Sequence, residues 1–290
     1  MTGRRFALIG ITCLGISAAS GLVAQEPPPP PKVLQIYREE VKPGKGPAHE
    51  KIETGWPRAF AKANWPTHYL ALVSLTGPSE AWFAAGYDSF EAWEKDQNAI
   101  DKHPTLKPEV DRLSEKDGEV LSGGRSLVEV YREDLSRNPN VDLSRIRYFR
   151  ISTFRVRPGH DGDFTNAVKI VKSAYDKISS PVSWAVFQVS AGMPSPTFVV
   201  WIPMRSLSES DTALMASKAL REAEGEEGEK ALAKAASEGY VNIETNIFAV
   251  NPVMSYPPKE FAAKDPAFWA PKPAAEPIRK NVEAKPGEKK

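Results

Sequence analysis

Apolar and polar residues alternate from Val33 to Val41 (VLQIYREEV) and again from Tyr148 to Val156 (YFRISTFRV), the period of a half-buried strand. Each run ends in a Pro-Gly turn and is followed by apolar residues three and four apart. In the first passage these are Ile52, Trp56, Phe60 and Ala63; in the second, Phe164, Val168, Val171, Tyr175 and Ile178. That spacing predicts one apolar face of a helix. Pro57 should kink the first helix or mark its first turn. After Pro66 and Pro181 the pattern returns to strands, Thr67–Leu75 with Glu80–Tyr87 and Val182–Ser190 with Thr197–Ile202, each pair separated by a glycine-containing turn. Polar, alanine-rich helical stretches start at Ser89 and Ser206. Closing strands follow at Ser126–Arg132 and Tyr240–Phe248.

The two passages share one plan. Val41-Lys-Pro-Gly44 returns 115 residues later as Val156-Arg-Pro-Gly159, and the same offset pairs Ile36 with Ile151, Pro66 with Pro181, Gly77 with Gly192 and Glu129 with Glu244. Each passage reads β-α-β-β-α-β. The expected fold is therefore α+β, with two tandem ferredoxin-like units at 33–133 and 148–256 joined by a linker at 134–147.

The ends differ in kind. Arg4 and Arg5 precede an uncharged apolar stretch, Phe6 to Val23, with small residues around Ala24. This is the pattern of a secretory signal over residues 1–25, so the expectation is an exported protein, periplasmic or extracellular, without a stable membrane anchor after cleavage. Cys13, the one cysteine, lies inside that stretch; Gly10 three positions before it argues against a lipid anchor. A cleaved chain would have no disulfide or thiolate site. Residues 26–32 form a proline-rich spacer, and 257–290 read as a solvated tail, in which Phe261, Phe268 and Trp269 are the residues suited to pin its first part to the body. A net charge of +1 in 290 residues provides no field to recruit nucleic acid.

Two such units, with a strand running into Ala85-Gly-Tyr-Asp-Ser-Phe-Glu-Ala-Trp93, resemble the dimeric α/β-barrel superfamily over roughly residues 33–256. The nearest branches are the NIPSNAP-like and antibiotic-biosynthesis monooxygenase-like proteins. The resemblance implies two sheets closing a barrel around a small-molecule pocket, in a monomeric internal pseudo-dimer or a homodimer. It implies no single activity, because the superfamily includes cofactor-free oxygenases, haem enzymes and isomerases.

With helices on one side of each sheet, alternation assigns Leu34, Ile36, Phe149 and Ile151 to the helix side. Gln35, Tyr37, Glu39, Arg150, Ser152 and Phe154 are then expected inside the barrel. The closing strands add Glu129 and Tyr131, and Asn242, Glu244 and Asn246. Glu129 beside Tyr37, and Glu244 beside Arg150, would place two carboxylates across a pseudo-twofold, for acid–base work or as cross-strand-paired surface glutamates. His68 opens a strand beside Trp65 and Tyr69. The resemblance implies a general-base role for it, although a lone histidine there also suits a sheet edge. Trp82 shares a face with Ala84 and Gly86 and reads as a pocket wall; Trp184 joins the candidate ligand contacts.

His49, His103 and His160 lie near turns and read as solvent-facing, so no metal is expected. No second-unit helix carries a histidine to serve as a proximal haem ligand, and no cofactor is expected. Nucleophile-elbow, phosphate-loop and dinucleotide glycine motifs are absent from the sequence. Three readings follow. The first is an exported NIPSNAP-like barrel holding a small apolar or aromatic ligand; the second, a cofactor-independent oxygenase or isomerase using His68, Glu129 and Glu244; the third, a structural or interaction module whose barrel is filled by its own side chains.

Overall fold

In the computed structural model, residues 27–270 are described. The leader reading for residues 1–25, Cys13 included, lies outside the described residues, as do residues 271–290. The first half runs β1 (Val33–Val41), α1 (Gly46–Glu53), α2 (Gly55–Lys62), β2 (Tyr69–Ser74), β3 (Glu80–Tyr87), α3 (Phe90–Lys102), α4 (Leu106–Val120) and β4 (Leu121–Tyr131). The second runs β5 (Tyr148–Val156), α5 (Asp161–Lys177), β6 (Ala185–Ala191), β7 (Thr197–Met204), α6 (Ser208–Met215), α7 (Ser217–Lys234) and β8 (Tyr240–Val250). Pro57 lies in the first turn of α2, where its missing N–H breaks no helical hydrogen bond.

The fold is mixed α+β. All eight strands pair antiparallel and close into one barrel in the order β1-β3-β2-β8-β5-β7-β6-β4. Each half thus contributes four strands with its last beside its first and its third beside its second. The halves meet at two short seams. One runs from Leu72↔Val250 to Ser74↔Phe248, the other from Val128↔Ala191 to Tyr131↔Phe187.

The glycines 115 residues apart have the same backbone role. Gly44 and Gly159 have φ of +76° and +88°, and Gly77 and Gly192 have +76° and +94°. L-residues with side chains avoid this region. Beyond the turns the sequence offset fails. Ile36 pairs with Ala84, but Ile151 pairs with Trp201, where the offset would put Val199. Leu34 pairs with Glu129, but Phe149 pairs with Phe248 rather than with Glu244.

The two faces of β1 and β5 are the reverse of the sequence expectation. Leu34, Ile36, Phe149 and Ile151 point into the barrel, in one core with Leu72, Trp82, Phe187, Trp201 and Phe248. Gln35, Tyr37, Glu39, Arg150, Ser152 and Phe154 therefore lie on the outer face, with Phe154 packed among the helix-side residues around Phe164. The interior of a closed eight-strand barrel is only about as wide as packed side chains, so its inner face takes the apolar positions. In β8 the expected face is correct, because Asn246 alternates in step with the inner residue Phe248.

The stretch 257–270, read as the start of a solvated tail, is folded against the barrel through Phe261, Phe268 and Trp269, the residues the sequence marked as suited to pin it. Two short helices, α8 (Lys259–Ala262) and α9 (Pro266–Trp269), bring Phe261 and Phe268 around a buried Trp269. The Trp269 indole donates to the Ser144 carbonyl at 2.8 Å, and Arg147 pairs with Asp265 while stacking 3.8 Å over the Phe268 ring. No helix among the described residues is long and apolar enough to cross a membrane.

At Gly192 a Cβ would come within 2.2 Å of the Ser126 carbonyl oxygen on β4, whereas at Gly159 it would meet nothing within 4 Å. Gly192→Ala should therefore cost about 3 kcal/mol and Gly159→Ala about 1 kcal/mol, since only the first adds a backbone clash to the strained φ. Urea unfolding of both variants reads the difference. Equal midpoints would contradict it.

Candidate functional site

The barrel is filled at one end and open at the other. The open end forms a cavity of about 1280 Å³. Its floor is Trp201 with Phe149, Leu72 and Phe187, and its wall includes Leu34, Leu70, Ala84 and Ala185. Around the rim run Pro28–Pro31, Trp65–His68 and parts of the chain near Val141 and Phe261. The space exists because Ala84 and Ala185 are short where a barrel of this size would otherwise be packed. Gly86 has a different job. A Cβ there would sit 2.8 Å from Pro31, so its lack of a side chain lets the proline segment close over the mouth.

Below the floor the core carries charge. Arg38 Nη2 donates to both carboxylate oxygens of Glu80 at 2.9 Å, and the Trp82 indole donates to Glu80 Oε2 at 2.7 Å. The guanidinium lies 4.4 Å over the Trp82 ring, which in turn meets Trp201 edge-on at 5.9 Å. Trp82, expected on the pocket wall, is thus part of the filling beneath the pocket. Glu129 is fully buried. Its Oε2 accepts from the Trp201 indole at 3.3 Å, and its Oε1 has no hydrogen-bond partner. Burial pushes its carboxyl up to about 8, against weaker pulls downward from the Trp201 indole and the Arg38 charge. At neutral pH Glu129 is mainly a protonated acid behind the cavity floor, so Arg38 and Glu80 balance each other.

The other expected contacts scatter. Phe248, not Glu244, stands opposite Phe149 as Glu129 stands opposite Leu34, so the expected Glu129/Glu244 pair across a pseudo-twofold does not form. Glu244 is exposed and accepts from Asn246 Nδ2 at 2.7 Å; Asn246 is buried and Asn242 is exposed. Arg150 pairs with Ile247 and Glu244 with Thr153, so the expected Arg150–Glu244 contact does not form. Tyr37 is 45% exposed on the outer face, opposite Ser126 rather than Glu129. Tyr131 does face inward, 5.5 Å from the Phe187 ring. Trp184 sits chiefly in the helix-side core, donating to the Leu135 carbonyl at 2.9 Å, with part of it on the cavity rim.

His68 is on the rim. Its Nδ1 lies 3.1 Å from the Tyr256 carbonyl oxygen. A carbonyl only accepts, so Nδ1 carries the proton and Nε2 of the neutral ring is the acceptor. Close by, Asp96 accepts from the Trp65 indole at 3.0 Å, Thr67 Oγ1 at 2.6 Å and the Tyr87 hydroxyl at 3.0 Å. Three donors hold it as a brace for the mouth.

Arg38, Glu80 and Asp96 were not singled out by the sequence reading. Arg38 could have been found from its parity with Leu34 and Ile36, had the inner face been assigned correctly. His49 also needs correction, since it is 3% exposed with Nε2 2.8 Å from Glu39 Oε2. Among the described residues, Glu39, His49 and Glu53 form a group of possible metal ligands within 4.8 Å of one another.

No protein-family model matches the sequence, and no curated protein does. Several solved structures have similar folds. An anthrone oxidase-like protein is 14% identical over 76% of this chain and 92% of its own, with a TM-score of 0.49. A candidate monooxygenase of Fusobacterium nucleatum is 12% identical over 75% and 91%, with a TM-score of 0.49. A variant chlorite dismutase of Candidatus Nitrospira defluvii, in complex with cyanide, is 10% identical over 81% and 95%, with a TM-score of 0.45. None assigns a reaction to this chain.

Glu129 ties stability to pH. Its folded-state value of about 8 lies above its ordinary 4.5, so the folded protein holds the extra proton between those values. The contribution of this residue is most favourable below pH 4.5 and falls as pH rises through 8. Glu129→Gln removes the titration. The stability of the variant relative to the native protein should therefore rise between pH 5 and pH 9, by on the order of 4 kcal/mol. Denaturant unfolding across that range measures it, and a pH-independent gap would show that Glu129 is ionised throughout.

Proposed function

We propose that the protein is an exported barrel of the NIPSNAP-like kind, made of two tandem ferredoxin-like units in one chain, that binds a small apolar or aromatic molecule in the open end of its barrel. The observation that carries this reading is the cavity itself, with an aliphatic wall, an indole floor and short side chains at Ala84 and Ala185. Such a lining gains from covering an apolar body. His68, Asp142 and Lys264 on the rim suit a ligand that keeps one polar end near solvent. Export is supported by the basic start, the uncharged apolar run and the confinement of the only cysteine to that run. Because one chain closes the barrel, the pocket needs no second subunit.

A second reading rests on His68. With Nδ1 committed to Tyr256, Nε2 is available to take a proton from a ligand at the rim, as a cofactor-independent oxygenase or isomerase would require. His68→Ala should then abolish turnover of whatever molecule co-purifies with the protein, while changing its affinity less than threefold, on the order of what loss of one rim contact costs.

Binding itself is tested with 1-anilinonaphthalene-8-sulfonate, an apolar ring system with one charged end, by energy transfer from the buried indoles. Ala84→Trp puts a second large ring opposite Trp201 and should weaken binding at least about tenfold with the fold intact by circular dichroism. Unchanged binding in Ala84→Trp would place the probe elsewhere. No binding by the native protein would favour the structural reading.

A further inference from the structure

We propose that Glu39, His49 and Glu53, with Asp117 beside Glu53, form a binding site for one divalent transition-metal ion, between the outer face of β1 and helices α1 and α4. Four features of the molecule support it: convergence, distance, burial and unmet bonding capacity.

Glu39 projects from the outer face of β1. His49 and Glu53 are four residues apart on α1 and so share one face of it, and Asp117 comes from α4. His49 Nε2 is 2.8 Å from Glu39 Oε2 and 3.9 Å from Glu53 Oε1. Ligand atoms around a four-coordinate ion with bonds of about 2.1 Å lie roughly 3.4 Å apart, so the two His49 contacts are each within about half an ångström of that spacing, and all three groups offer atoms within 4.8 Å of one another.

His49, Glu53 and Asp117 are only 3%, 2% and 3% exposed. Despite that burial, Glu53 Oε1 and Asp117 Oδ1 meet no donor other than a proton shared between the two carboxyls, although the Trp56 indole holds Asp117 Oδ2 at 3.0 Å. The Tyr69 hydroxyl is a third orphan, close enough for Glu53 and Glu39 to act on its charge. Buried polar atoms are rarely left in this state. Among the described residues, no lysine or arginine forms an ion pair with any of the three carboxylates. Three acids therefore face one imidazole, an excess of negative charge that a dication would neutralise.

Protonation is the competing way to relieve it. Burial, with Glu39 and Asp117 nearby, pushes the Glu53 carboxyl up to about 10, so without a cation it keeps its proton at neutral pH. Metal binding would displace that proton. One imidazole nitrogen with carboxylate oxygens suits Zn²⁺, Mn²⁺ or Fe²⁺, and Asp117 beside Glu53 is placed to complete a closed, four-donor set. The ion would fasten α1 and α4 to the sheet. Glu39, whose side chain is 19% exposed, is the side from which it would enter.

The test uses metal-stripped full-length protein and Zn²⁺ alone. Isothermal titration should show one equivalent bound, and a hundredfold excess over Kd should raise Tm by about 5 °C. Glu53→Gln and His49→Gln should each weaken binding at least about tenfold. His160→Gln, at a surface pair with Asp163, should bind like the native protein. Glu53→Gln should also melt no lower than the native protein without metal, because it removes a buried acid; this separates lost binding from lost folding. Absence of heat and of any Tm shift with both Zn²⁺ and Mn²⁺ would overturn the proposal. So would equal Zn²⁺ binding by all three variants.

Discussion

Closure of the barrel is the constraint on which the other features rest. Four strands from each half meet through seams of only three and four residue pairs, β2 with β8 and β4 with β6, and these leave no free edge in the closed part of the sheet. Closing eight strands fixes the interior at about the width of packed side chains. Everything that happens inside is then a choice of what fills a fixed volume. Large rings at Trp82, Trp201 and Phe248 fill one end; Ala84 and Ala185 leave the other empty.

Much of the architecture was legible in the chain. The Pro-Gly turns and the glycines at 77 and 192 identified places where only a residue without a side chain is comfortable, and both halves use them alike. Alternation located β1, β3 and β5 at their observed bounds. What alternation could not reveal was which face was inner. Both faces of these strands are covered, one by the opposite wall of the barrel and one by helices, so Leu34 and Phe154 both sit in apolar surroundings while facing opposite ways. A repeat offset fixed at the turns was equally blind to the register of the last strand. That is why Glu244 looked like the partner of Glu129 when Phe248 holds the position.

The ionisable groups follow from the same geometry. Arg38 enters the barrel because it shares parity with Leu34 and Ile36, and it is tolerable there because Glu80 and the Trp82 ring meet it. Its neighbour Glu39 goes to the helix side and joins His49 and Glu53. One strand therefore feeds two polar clusters on opposite faces of the same sheet. The acids in α1 and α4 carried no sequence signal of their own, because their burial depends on a strand distant in sequence.

The position opposite Ile151 holds Trp201, and the matching position opposite Ile36 holds Ala84. In a barrel assembled from two identical subunits each substitution appears twice, and that place would hold two indoles or two methyls. Covalent continuity between the halves removes this restriction. The lining is therefore aromatic around Trp201 and Phe149 and aliphatic around Leu34 and Ala84. For the ligand proposed above, an uneven lining of this kind favours one orientation over its reverse.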